Sequence, residues 1–310
     1  MSDHTAAAFD PAPGTAIEIA DGLRRILAPN PSPMTFRGTN TYLLGESEIG
    51  VIDPGPDDPA HLEAILTALP PGGRISHIFV THAHLDHSAL APRLAAKTGA
   101  PVLAFGDALA GRSAMMQRLA ERGLERGGEG VDLGFAPDRC LADGETVEGT
   151  EWSLRALWTP GHFGNHLCFA WSDAVFTGDL VMGWASSLVS PPDGDAGDFV
   201  ASCARLKAAG PRMLYPGHGA PVDRPAERLD WLIAHRLGRE ADILKRLKAS
   251  SGTAAELARD IYTDTPEALM RAAARNVLAH LIDLTERGFA RHDGPLDADA
   301  VFYLSDTQAE

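Results

Sequence analysis

Thr81-His82-Ala83-His84-Leu85-Asp86-His87 sets four potential metal ligands, His82, His84, Asp86 and His87, within six residues, directly after the apolar run 75–80. That run reads as a short strand, so the ligand segment lies on the loop leaving it. Alternate residues of an extended chain share a face, which points His82 and His84 the same way. Where the loop curls, Asp86 and His87 can aim at a neighbouring position. Imidazole nitrogen and carboxylate oxygen suit zinc, and they also accept manganese or iron.

Three later segments extend the pattern. Thr159-Pro160-Gly161-His162, Phe176-Thr177-Gly178-Asp179 and Tyr215-Pro216-Gly217-His218-Gly219 each follow a strand-like stretch. In each, glycine allows a sharp turn at little steric cost beside the ligand-type residue. A lone Pro-Gly-His is ordinarily a turn with an exposed histidine. Three such turns after a His-x-His-x-Asp-His segment form a set.

This ordered set resembles the metallo-β-lactamase superfamily over roughly residues 17–225. The resemblance implies an α+β chain, an αββα sandwich with a two-metal site at one edge. It implies that His82, His84 and His162 hold one metal, that Asp86, His87 and His218 hold the second, and that Asp179 bridges them. Val51-Ile52-Asp53-Pro54-Gly55 also matches; the likeness implies that Asp53 supports the ligand loop without binding metal. Paired divalent cations, zinc first with manganese or iron also acceptable, make hydroxide available from water near neutral pH. Asp86 would orient that nucleophile and carry a proton to the leaving group. No serine or cysteine sits in a nucleophile elbow.

The remaining chain bounds the reading. It has 310 residues, enough for one large domain and a smaller one. A net charge of −15 argues against bulk nucleic-acid affinity. Cys140, Cys168 and Cys203 are odd in number and widely spaced, so they predict free thiols rather than a disulfide framework. Met1-Ser2-Asp3-His4 lacks a signal-peptide pattern, and no apolar stretch is long enough to span a bilayer. A cytoplasmic protein is expected.

The patterning predicts a loose tail over 1–14, strands within 17–27 and 41–52, a helix over 59–69, a helix over 88–98 and a strand over 101–105. A helix over 109–122 falls within an irregular stretch, 106–135. Strands follow at 146–147, 154–159, 167–171, 174–177 and 213–215, with a helix over 199–209. Close strand spacing argues for mixed sheets. The catalytic domain is placed at 15–229. Beyond it, 230–296 reads as helix, helix, helix and β wing, followed by a tail over 297–310. Thr253-Ala254-Ala255-Glu256 is a capping box, and Thr265-Pro266 reads as an N-cap followed by a first-turn proline.

Ile261-Tyr262-Thr263-Asp264-Thr265-Pro266 and Asn276-Val277-Leu278-Ala279-His280-Leu281 resemble the winged-helix tail of β-lactamase-like protein 2 and its bacterial relatives. Gly38-Thr39-Asn40-Thr41-Tyr42-Leu43 fits the same group. Its animal member is a single-strand-specific endoribonuclease. Here 231–293 carries ten basic and nine acidic residues, so a winged helix docked as one wall of the cleft is favoured over one gripping duplex DNA.

The loops 30–37 and 181–198 are expected to select the substrate. Trp184 can stack on a base, pack on an acyl chain, or serve as core. His166 reads as support for the site, whereas His61, His77, His235, His280 and His292 read as structural or surface residues. The favoured activity is hydrolysis of an ester, thioester or lactone of small-molecule size. The alternative is cleavage of single-stranded RNA along Arg37, Arg112, Arg118 and Arg122, which otherwise read as solvated surface. A persulfide dioxygenase uses fewer ligands, a true β-lactamase lacks a carboxylate like Asp179, and a non-enzymatic DNA-binding protein needs no complete ligand set. No membrane partner is expected, and a homodimer is compatible with the chain.

Overall fold

Alternation along the strands builds the layers. In β10 (Leu167–Trp171), Leu167 and Phe169 face one apolar cluster and Cys168 faces another. Such a strand is covered on both faces. The computed structural model describes residues 9–126 and 130–305. A seven-stranded sheet runs in the order β1 (Ile17–Ala20), β2 (Leu23–Leu27), β3 (Asn40–Leu44), β4 (Glu48–Ile52), β5 (Arg74–Phe79), β6 (Val102–Ala104) and β7 (Arg139–Cys140). Its first four strands are antiparallel, and β4 through β7 pair in parallel. The second sheet has the order β12 (Met213–Pro216), β11 (Ala174–Gly178), β10, β9 (Ser153–Trp158) and β8 (Thr146–Glu148). The sheets are mixed, as the close strand spacing predicts.

Tyr42, Ile52, Phe79 and Leu103 meet Leu154, Phe169, Phe176 and Tyr215 between the sheets. Full burial of each such side chain contributes roughly 1.5–3 kcal/mol. Helices α1 (Pro59–Thr67) and α3 (Ala91–Thr98) cover the outer face of the first sheet through Leu62, Ile65 and Leu94. Helices α5 (Ala196–Ala209) and α6 (Pro225–Ala249) cover the second through Phe199, Cys203, Leu229 and Leu232. The layers are therefore αββα.

The C-terminal unit comprises the distal part of α6, α7 (Ala254–Ile261), α8 (Glu267–Glu286), β13 (Ala290–Asp293) and β14 (Val301–Leu304). The wing is the antiparallel pair β13–β14. Helix α4 (Ala114–Glu121), from the irregular stretch of the catalytic part, inserts Met116 and Leu119 into this same core. The two units thus share side chains, and α6 runs continuously through the expected boundary at 229/230.

Several local expectations are corrected. Val301–Leu304 is a strand rather than tail, because its hydrogen bonds go to β13. Phe9 is buried under the Arg25 guanidinium and Gly14 N–H donates to Leu27 O, so the largely exposed stretch 9–14 is anchored at both ends. The expected tail residues 1–8 and 306–310 lie outside the described residues. The helix expected over 109–122 starts at Ala114, where the Ser113 hydroxyl accepts from Met116 N–H. Thr265 is not an N-cap: Pro266 occupies that position without a side-chain cap bond. The capping box of Thr253 and Glu256 is formed. Helix α2 (Leu85–Ser88) begins within the ligand segment and is separate from α3.

Candidate metal centre

Strand direction gathers the ligands. Strand β10 is antiparallel to both β9 and β11, and β12 is parallel to β11, so β9, β11 and β12 finish at one end. His162, Asp179 and His218 leave from those ends, while Asp53 and His82 follow the parallel strands β4 and β5. His84 is the N-cap of α2, whose first turn carries Asp86 and His87 and sets the His87 ring 4.2 Å from that of His82. The structure brings all seven expected ligand residues together. Three groups each place one ligand atom per residue within 4.8 Å of the others: His82–His84–His162, His82–His87–Asp179 and Asp86–His87–His218.

Ligand-type atoms converge at the centre. The Nδ1 of His84 lies 2.9 Å from His82 Nε2 and 3.1 Å from His162 Nε2. Ligands at zinc–nitrogen distances on a tetrahedron stand roughly 3.3 Å apart. Asp179 Oδ2 is 3.4 Å from His218 Nε2 and 3.8 Å from His162 Nε2. Its Oδ1 is 3.5 Å from His87 Nε2, and this buried oxygen has no hydrogen-bond partner among the described residues. Asp86 Oδ2 is 3.2 Å from His218 Nε2. A donor set of this kind fits cations lying between its members.

The outer hydrogen bonds set each tautomer. A carbonyl can only accept, so His162 Nδ1–H donates to Leu188 O at 2.6 Å and His218 Nδ1–H donates to Gly38 O at 3.1 Å. His87 Nδ1 faces Asp53 Oδ2 at 2.9 Å. The Thr81 hydroxyl donates to Asp53 Oδ2 at 2.9 Å, so its oxygen is left to accept from His82 Nδ1–H at 3.0 Å. All four rings therefore turn Nε2 inward. Asp53 governs two of them, one directly and one through Thr81. His166 Nε2 accepts from Asp179 N–H at 3.2 Å, so His166 steadies the backbone that carries the Asp179 carboxylate.

Electrostatics divides the cluster. Burial pushes His84 down to about 3, and burial together with its histidine neighbours holds His82 well below the usual imidazole range. Burial also works against charging His87, but the carboxylates of Asp86, Asp179 and Asp53 outweigh it and raise His87 to about 9. His218 is raised by Asp179 and Asp86 against the same burial. Both of those carboxyls stay below their usual range despite burial, through His87 and His218. Protons on His87 and His218 thus take the place of the positive charge that a cation beside Asp86 and Asp179 would supply.

Further supporting residues lie beyond the ligand motifs. Asn40 donates to Pro216 O at 3.0 Å and Gly219 O at 2.9 Å, clamping the His218 turn, and Tyr42 donates to Pro216 O at 2.7 Å. The polar run Thr39-Asn40-Thr41 entering an otherwise apolar strand was the available signal. A cleft of about 380 Å³ opens over His84, Asp86, His162, Asp179 and His218. The loop residues Pro33 and Met34, Met182 and Leu188, and the first turns of α8 wall it. Trp184 does not line this cleft; it stacks on Phe36 at 5.0 Å. Arg112 is not solvated surface, since it forms a buried ion pair with Asp193. Among the described residues, no helix is long and apolar enough to cross a membrane.

Fold and ligand geometry together define a hydrolase of the metallo-β-lactamase fold. The chain belongs to the metallo-beta-lactamase superfamily, whose family model matches residues 34–218; a beta-lactamase associated winged helix domain matches 253–297. It is similar to the beta-lactamase-like protein 2 homolog of Caenorhabditis elegans, with 31% identity over 281 residues, covering 87% of this chain and 86% of that one. It is also similar to the atrochrysone carboxyl ACP thioesterase of Aspergillus fumigatus, with 31% identity over 234 residues, covering 72% of this chain and 64% of the relative. Among solved structures, a metallo-beta-lactamase family protein from Thermus thermophilus superposes with a TM-score of 0.73 at 26% identity, covering 93% of this chain and all of that one.

Proposed function

We propose that the protein is a dinuclear, zinc-dependent hydrolase of small esters, thioesters or lactones. The observation that carries this reading is the cleft of about 380 Å³ over the ligand cluster, with an apolar wall from Pro33, Met34, Met182, Leu188 and Leu269. Its size falls in the range of small-molecule sites, roughly 300–1,000 Å³. His82, His84 and His162 would hold one metal, Asp86, His87 and His218 the other, and Asp179 would be shared. Bound metals supply an acidified water and Lewis-acid polarisation of the substrate oxygen. The chain's own contribution begins with Asp86, whose side chain keeps 26% exposure toward the cleft. It is placed to orient water and to pass a proton to the leaving atom. The apolar walls take up the acyl portion and exclude bulk water. Arg271 lines the cleft and has no ion-pair or hydrogen-bond partner among the described residues, so it can receive an anionic group of the substrate. The thioesterase name of one relative supports the thioester version.

The test is a substrate panel on zinc-reconstituted protein: a p-nitrophenyl ester, a lactone, a carboxylate-bearing acyl thioester, bis(p-nitrophenyl) phosphate and a single-stranded RNA. Ester or thioester turnover that disappears with EDTA and in His84→Ala is expected. RNA cleavage outpacing every small ester, and lost in His218→Ala, would overturn the substrate class and leave the hydrolase. Arg271→Ala should raise KM for the carboxylate-bearing thioester by about tenfold or more, the worth of one charged hydrogen bond, with kcat little changed.

A further inference from the structure

The segment 181–195 leads from the shared carboxylate Asp179 to α5 without regular secondary structure. Its backbone is instead held by side chains of α6 and α8. Arg228 donates to Met182 O at 2.8 Å and to Ala185 O at 2.7 Å. Arg236 donates through Nη2 to Ser187 O, and through Nη1 to Asn276 Oδ1 at 2.9 Å. The same Asn276 oxygen accepts from Val189 N–H at 3.0 Å, and Arg275 donates to Ser190 Oγ at 2.9 Å. Between these anchors lies Leu188, whose carbonyl orients the ligand His162.

Arg236 makes the arrangement notable. It is 2% exposed, sits over the Phe199 ring at 4.7 Å, and pairs with no carboxylate among the described residues. An unpaired buried charge is costly, and an apolar side chain of similar bulk would fill the space at lower cost. What an apolar residue cannot do is hold Ser187 O and the Asn276 amide at once. We propose that Arg236 and Asn276 are positioning residues for the metal centre: they fix the 187–189 backbone so that the Leu188 carbonyl holds His162 in its metal-binding tautomer and orientation. The C-terminal unit is then a structural part of the metal site as well as a wall of its cleft. The inference rests on the proposed metal centre and is independent of the substrate.

The experiment reads metal affinity by competition of the full-length protein with a chromophoric zinc chelator, and needs no turnover. Asn276→Ala removes the acceptor shared by Arg236 and Val189, and should weaken zinc binding about 10–100-fold, the usual effect of losing a partner that orients a ligand. Asn276→Asp retains an acceptor oxygen for both donors and should restore affinity to within about threefold of wild type. Arg236→Met keeps the bulk and should match Asn276→Ala; it carries the test if the alanine variant fails to fold. Arg246→Ala, on the far part of α6, breaks an ion pair with Asp260 of α7 and should leave affinity unchanged. Wild-type affinity in both Asn276→Ala and Arg236→Met would overturn the proposal, as would equal losses in Asn276→Ala and Asn276→Asp. Failure of the wild-type protein to retain zinc would instead remove the metal centre itself.

Discussion

Asp53 holds a left-handed backbone with φ 51°, a conformation that costs a non-glycine residue on the order of 1–3 kcal/mol. The strain persists because both ends of the residue are tied. Its carbonyl accepts from the Thr41 hydroxyl at 2.7 Å, and Thr41 is backed by His61 Nε2 at 2.8 Å. Its carboxylate receives Thr81 N–H, the Thr81 hydroxyl and the His87 ring. Asp53→Asn keeps the shape but makes one terminal atom a donor, so that His87 and Thr81 lose a common acceptor. Zinc affinity should fall about 10–100-fold, read by chelator competition, while the far-ultraviolet circular dichroism stays unchanged. Retained affinity would show that Asp53 does not set the tautomers. The role of Asp53 was legible in the motif 51–55. Those of Thr41 and His61 were not, because their partners are chosen by packing of α1 on the sheet.

At the scale of elements, the turns between strand and ligand are the sensitive pieces. A Cβ on Gly217 would stand 2.6 Å from His87 Cε1 and 2.7 Å from Asp179 Oδ1. Gly217→Ala should therefore reduce bound zinc per chain, measured by elemental analysis, more than it lowers the melting temperature of the metal-free protein. The effect centres on the site because the two closest clashes are with candidate ligands, the β11 backbone standing farther off, with Gly178 C at 3.2 Å. Helix α7 offers a contrasting case. Its Thr253–Glu256 capping box is exposed and remote from the site. Thr253→Ala should cost about 1 kcal/mol in urea denaturation and leave zinc affinity intact. Caps and strands of this kind could be read locally. The start of α8 could not, since Thr265 and Pro266 both suit a helix entry, and it is Pro266 that serves.

For the whole molecule, buried neutral histidines couple stability to pH. Burial holds His280 down to about 3, reinforced by Arg236 and His235. In the unfolded chain a histidine titrates near 6.5, so below that value the unfolded state binds a proton that the folded state does not. The contribution is fully present above about pH 6.5 and declines as pH falls toward 3, by up to about 1.4 kcal/mol per pH unit. Urea denaturation of metal-free wild type and His280→Gln at pH 7 and pH 5 should show a shallower loss in the variant. Identical slopes would exclude the coupling. Metals that bind only the folded ligand cluster should also raise the melting temperature, and EDTA should reverse that rise.

Short-range chemistry is what the sequence determined alone. Ligand-type residues at strand ends, glycine turns, apolar alternation and caps are encoded within a few residues. They marked the candidate ligand residues, the mixed sheets and a helical unit with a wing. The αββα layering and the assignment of those residues to two metals were what the resemblance to the superfamily implied. Other features needed the tertiary structure. Asn40 meets carbonyls 176 and 179 residues away, Arg236 and Asn276 meet the 187–189 backbone, and α4 enters the C-terminal core. These contacts depend on how separate elements pack, and polar side chains carry no periodic signal of the distant backbone groups they will satisfy. The His82–His87 segment thus names the centre, while the fold decides which buried donors hold its ligands in place.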